Sequence, residues 1–234
     1  MADTPATATP SSVRALALLL AREFRTEFRT RSLLASQGLF AATSVIALAL
    51  GSRALPHNET FQRFALSAIW VCVLFAAVVG LNRSALAERE RGLNTSFRLL
   101  PVDPAVLYTV RLCSALAFLI VTEVIIFALG ALLLDVNALA DPLIPAIILL
   151  ADIGFLAPGV LLATATSEVR GGEALLAVAL IPLTIPVLAG AIGAWDALGA
   201  GLGFAGAQPY VLLLGCCAAM FLALGLLLYG KLSE

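Results

Sequence analysis

Six apolar runs divide this chain, at 33–52, 64–81, 112–134, 143–166, 174–195 and 209–230. Each is close to the about 20 residues that a membrane-spanning helix needs. The pattern therefore predicts an all-α integral membrane bundle of six transmembrane helices over 32–231. Ahead of it, Leu16, Leu20, Phe24 and Phe28 recur at four-residue spacing with arginine and glutamate between them. That spacing predicts an amphipathic helix over 13–31 lying in the inner membrane interface. It reads either as an elbow that braces the bundle and senses a partner's movement, or as a plain surface anchor. Residues 1–12 are small and polar with two prolines, a disordered lead-in. The short run at 15–21 meets no small-residue cleavage site, so no secretory signal is expected.

Composition agrees with the pattern. Hydrophobic residues make up 61% and charged residues 12%, with mean hydropathy +1.03. Soluble domains carry about 25% charged residues, so a soluble globule is excluded. The net charge of −1 favours no partner, but its distribution is uneven. Twelve of the 14 Lys and Arg fall in the N-terminal segment, the second and fourth connections and the tail, and only Arg53 and Arg63 lie on the other side. The positive-inside rule puts both termini and the long second connection in the cytoplasm. A bacterial inner membrane is the expected location.

That connection, 82–103, is the one long polar segment. Its charges alternate through Arg83, Glu88, Arg89, Glu90 and Arg91, and Glu88 and Arg91 are spaced to support a short helix that Gly92 can close. After Pro101, the pair Asp103-Pro104 reads as an N-cap followed by proline at the first helical position. The expected layout is a short helix, a turn, and a stiff entry into the third span. Asn82, Arg83, Glu88, Arg89, Glu90, Arg91, Gly92, Pro101 and Asp103 are then candidates for docking a soluble partner. The alternative is a solvated loop with ordinary salt pairs.

Inside the spans a few residues need explaining. Glu123 and Asp152 each sit mid-span, where a charge costs about 2.5–3.5 kcal/mol on insertion scales. No Lys or Arg falls within the predicted spans. Each acid must be protonated, paired or facing a polar cavity; an internal path, a subunit interface, or a neutral acid bonded to a neighbouring helix are the open readings. Pro182 and Pro186 bracket Leu-Thr-Ile in the fifth span and each removes a backbone donor. They suit a hinge, or a static kink satisfied by Thr184. Pro158-Gly159 raises the same choice in the fourth span.

Other chemistry is sparse. Cys72, Cys113, Cys216 and Cys217 lie in apolar runs without metal-ligand spacing, as packing residues do. No metal site is expected. Trp70 and Trp195 each sit in or near a span and read as ordinary membrane-belt residues. The single histidine, His57, is in the first external loop; histidine can ligate haem iron, but a lone loop histidine is ordinarily a surface residue. There is no phosphate-binding G-x-x-x-x-G-K-[ST], no H-E-x-x-H or G-x-S-x-G, and no basic, aromatic-rich surface for nucleic acid. The chain is expected not to be an enzyme.

Two blocks carry a resemblance. The first is Gly80-Leu-Asn-Arg-Ser84, Glu88-Arg-Glu-Arg-Gly92, Leu99-Leu-Pro-Val-Asp-Pro104 and Tyr108. The second is Ile153-Gly-Phe155, Ala163-Thr-Ala-Thr166, Arg170-Gly-Gly-Glu-Ala-Leu-Leu176 and Ile181-Pro-Leu-Thr-Ile-Pro-Val-Leu188. Together they resemble the cytochrome c maturation protein B (haem exporter protein B) family. The resemblance runs over 22–231. It departs at Asp152 and Pro158, where small or aliphatic residues are expected, and at Arg111, where lysine is common.

The resemblance implies the transmembrane subunit of an ABC-type complex, usually a homodimer in the bilayer. Its partners would be a separate ATP-binding subunit that holds ATP and Mg, a haem-handling C subunit with a small membrane partner, and a haem chaperone. The 82–100 region would be the coupling element in the ATPase groove. No cofactor would be bound by this chain; haem would stay on the chaperone. ATP hydrolysis would then release the haem-loaded chaperone on the outer face. Alternatives are an exporter of haem or another amphiphile with Glu123 and Asp152 lining its path, a passive scaffold for the ATPase, and an ion-coupled secondary transporter. The last lacks a clear inverted repeat between span triplets.

Overall fold

The computed structural model describes residues 17, 19–21, 24–25, 32–56, 58–90, 103–136, 141–167, 169 and 171–233. Six long helices dominate them: α1 Ser32–Ser52, α2 Glu59–Glu90, α3 Pro104–Leu134, α4 Ile144–Thr166, α5 Gly172–Gly199 and α6 Gly203–Ser233. All six are long and apolar enough to cross a membrane, and no strand occurs among the described residues. Helices are the economical answer here, because backbone donors and acceptors in lipid must be satisfied within the segment.

Two predicted boundaries are corrected. The second span was expected to end near Leu81, with a separate short helix beyond it. Instead α2 continues unbroken through Asn82 and Arg83 to Glu90. Ser84-Ala-Leu-Ala-Glu88 contains no proline or glycine and is rich in good helix formers, so nothing stops the ladder at the membrane surface. The 32 residues of α2 make a rod about 48 Å long, against a hydrocarbon core of about 30 Å. The sixth helix also starts earlier than the apolar run suggested, at Gly203, and carries Pro209 within it.

Helix α3 begins where the Asp103-Pro104 pair suggests. The backbone N–H of Ala105 donates to Asp103 Oδ1 at 2.9 Å, and Pro104 occupies the first turn. The Asp103→Ala variant is expected to lose about 1 kcal/mol, the usual worth of such a cap. Chemical unfolding in detergent micelles measures this, with Asp103→Asn retaining most of it.

Among the described helices, α1 packs chiefly on α2 and α3. Helices α4, α5 and α6 pack on one another, and α2 and α3 bridge to that triplet. Helix α4 is the centre: Ala151, Asp152 and everything from Gly154 to Val160 are buried. Small residues permit the close approach that lipid-embedded helices need. Gly154 lies against Val187 of α5, and Gly190 of α5 against Leu214 of α6. In the segment ahead of α1, the ring of Phe24 meets Phe118 of α3 edge-on at 5.5 Å between centroids.

Candidate functional site

On one side of the bundle, α2, α3, α4 and α6 meet in one polar and aromatic junction. Arg111 lies on α3 about two turns from Pro104. Its guanidinium donates to Thr164 Oγ1 of α4 at 3.0 Å and lies over the Tyr229 ring of α6 at 5.6 Å. Tyr108, one turn earlier, is fully buried and donates from its hydroxyl to the Ala157 carbonyl of α4 at 3.1 Å. Ala157 adjoins Pro158, whose missing N–H would have gone to the Gly154 carbonyl one turn earlier, so the Tyr108 bond falls beside that gap and does not fill it. Tyr108 also stacks near Tyr229, 5.6 Å between centroids, in the space left by Gly225 of α6. Three helices are therefore tied together by two side chains of α3's first turns.

A small cleft opens at the junction, lined by Leu81, Ser84 and Ala85 of α2, Arg111 and Ala115 of α3, and Val160, Ala163 and Thr164 of α4. The sequence treated Arg111 as a connection residue. It is instead an integral part of a membrane helix, positioned by hydroxyl and ring contacts. A pattern-based reading misses this because Arg111 abuts the apolar run at 112–134 without interrupting it.

Further along the same seam the two acids come together. Glu123 of α3 and Asp152 of α4 are 3% and 0% exposed and interact side chain to side chain. No other group donates to Glu123 Oε1 or to either Asp152 oxygen. An aromatic cluster lies next to them. Trp70 of α2 meets Phe127 of α3, Phe155 of α4 and Trp195 of α5 edge-on, at 6.4, 6.3 and 6.1 Å. Phe127 is one turn beyond Glu123 and Phe155 one turn beyond Asp152, so the indole sits on the faces that carry the acids. Trp70 and Trp195 are thus core residues; the expectation of membrane-belt tryptophans is corrected, because the cluster buries both rings.

A third polar contact escaped the sequence reading altogether. Gln37 of α1 is 2% exposed, and its Nε2 donates to the Ala76 carbonyl of α2 at 3.0 Å. The amide lies directly over Gly80, where any Cβ would collide with it. The available signal was a lone glutamine inside an apolar run, four residues from its start.

The remaining candidates divide as follows. Asn82 and Arg83 lie on the last turns of α2, half-buried and exposed respectively. Glu88, Arg89 and Glu90 belong to the same helix by backbone. Arg91, Gly92, Pro101 and His57 lie outside the described residues. Pro182 and Pro186 are both inside α5, which stays one helix through them. Thr184 donates to the Leu180 and Ile181 carbonyls at 3.0 Å each. Those are not the carbonyls that the prolines leave unpaired, which belong to Val178 and Pro182. The kink-satisfying role expected of Thr184 is therefore only indirect. No group of three or more metal-ligating side chains occurs among the described residues.

Comparison with known proteins agrees with this architecture. A family model described as CcmB protein matches residues 14–227. The chain is also 30% identical to "Heme exporter protein B" of Pseudomonas aeruginosa over 182 residues, covering 77% of this chain and 80% of that protein.

Proposed function

The chain belongs to the CcmB family, and from that premise we propose that it is the membrane subunit of an ABC-type complex in haem export and c-type cytochrome biogenesis. A separate subunit hydrolyses ATP, with Mg, and pushes on the 82–103 segment. The bundle rearranges and the haem-loaded chaperone leaves the outer face. The membrane is the bacterial inner membrane. The observation that supports this reading best is the continuity of α2 from the bilayer to Glu90, with α3 starting at the capped Asp103. A rod and a capped entry transmit force with little slack; a disordered connection does not. The haem-handling C subunit, its small membrane partner and a second copy of this chain complete the assembly.

Deleting the gene tests the reading on one haem-stained gel. The expected result is loss of haem on c-type cytochromes while haem-loaded chaperone accumulates. Loss of both moves the role upstream to haem supply and favours an exporter. Normal levels of both reject the assignment. Charge reversal at Glu88 and Glu90 is expected to abolish co-purification of the ATPase while the membrane protein itself persists.

A further inference from the structure

The seam between α3 and α4 contains acceptors without a donor. Glu123 Oε1, Asp152 Oδ1 and Asp152 Oδ2 face no N–H or O–H from any other described group, though both residues are at least nine-tenths buried. Buried polar atoms in native proteins are nearly always satisfied, and those that are not need an unseen partner. The neighbouring indole is in the same position: Trp70 is fully buried and its Nε1–H has no acceptor. Its ring touches the turns directly beyond both acids.

Four buried polar atoms on three helices, at one level of the bundle, are thus left open. A divalent metal is poorly served by two carboxylates, since it needs a fuller oxygen set. A proton is different. It converts one acid into a donor to the other and removes one of two facing negative charges.

We propose that Glu123 and Asp152 form a proton-binding site that closes the α3–α4 seam. With the proton bound, one carboxyl donates to the other and the helices pack. Without it, two like charges face each other in an apolar interior, and the seam must open or admit water. The site is independent of ATPase docking and holds whether or not haem crosses the bundle.

Other charged groups stand clear of this level. The Arg63–Asp196 pair, 3.3 Å apart, ties the opposite ends of α2 and α5. Arg111 is about 18 Å away along α3. Glu173 lies in the first turn of α5 and Lys231 in the last turn of α6, and α1 brings no ionisable side chain within its span. The thiols of Cys72, Cys216 and Cys217 lie in the middle turns of α2 and α6, and that of Cys113 lies nearer the start of α3.

A seam closed by a bound proton is weakened as the pH rises and the proton is lost. The test is thermal unfolding of the full-length protein in lipid nanodiscs at mildly acidic and mildly alkaline pH. Wild type is expected to drop by several degrees on alkalinisation. The Glu123→Gln/Asp152→Asn double variant, which keeps every thiol, is expected to be flat. Parallel behaviour of the two proteins overturns the proposal.

A second measurement needs no variant. Dicyclohexylcarbodiimide adds across a protonated carboxyl: the acid's oxygen bonds to the carbodiimide carbon, its proton passes to nitrogen, and the adduct rearranges to a stable N-acylurea. Peptide mass spectrometry is expected to find that adduct on Glu123 or Asp152, falling about tenfold per pH unit once the proton is lost. No adduct at acidic pH, or equal labelling at every pH, overturns the site.

Discussion

Replacing Ala87 by proline is expected to abolish haem attachment to c-type cytochromes while leaving the protein inserted in the membrane. Ala87 lies in the projecting end of α2, beyond the apolar run. Proline there removes the bond to the Arg83 carbonyl and presses its ring on that turn, costing about 3 kcal/mol of local helix. The membrane core of α2, anchored by Ile69, Trp70 and Val73, is several turns away and stays packed. Ala87→Gly supplies the graded control. It removes no hydrogen bond and weakens the helix by about 1 kcal/mol, so partial activity is expected. The measurement is haem staining beside a quantitative blot of the membrane fraction. Full activity of the proline variant would show that the last turns of α2 need not be a stiff rod, and the force-transmission reading would fail with it.

The second large effect concerns the α1–α2 contact. Gly80→Ala places a methyl where the Gln37 amide lies, and Gln37 must leave its bond to the Ala76 carbonyl. Overpacking of this kind costs about 1–3 kcal/mol. A buried amide stripped of its partner adds about 1–3 kcal/mol on protein scales. The variant is expected to unfold at lower denaturant and to lose yield in the membrane. The decisive comparison is the double variant Gly80→Ala/Gln37→Ala, which removes both the obstruction and the orphaned amide. Recovery of most of the lost stability identifies the pair as one unit, the non-additivity that contacting residues show. Equal damage in single and double variants would place the cost of Gly80→Ala elsewhere in the helix.

Some of this was legible residue by residue. Asp103-Pro104 marks a helix start because capping is decided within a few residues of chain, and α3 starts there. Glu123 and Asp152 stand out singly because apolar surroundings make any acid conspicuous. Their meeting does not stand out: they are 29 positions apart on helices whose rotation about their axes sets which faces touch. The end of α2 was misread for a related reason. Polarity marks where the membrane stops, and the helix does not stop with it, because Ala, Leu and Glu prolong a ladder in water as well as in lipid. Trp70 and Trp195 were misplaced because belt and core tryptophans look alike along a chain.

What the sequence determined by itself is the number of spans and their all-helical character. These follow from local quantities: apolar length and backbone satisfaction within a segment. The tertiary structure alone decided which polar side chains meet. The carboxyl pair between α3 and α4, the Arg111–Thr164 and Tyr108–Ala157 ties, and Gln37 over Gly80 all depend on interhelical depth and rotation. In lipid no hydrophobic drive separates one apolar face from another, so small residues and the fit of a few polar groups choose the packing. That choice is made among helices, and no single helix carries it.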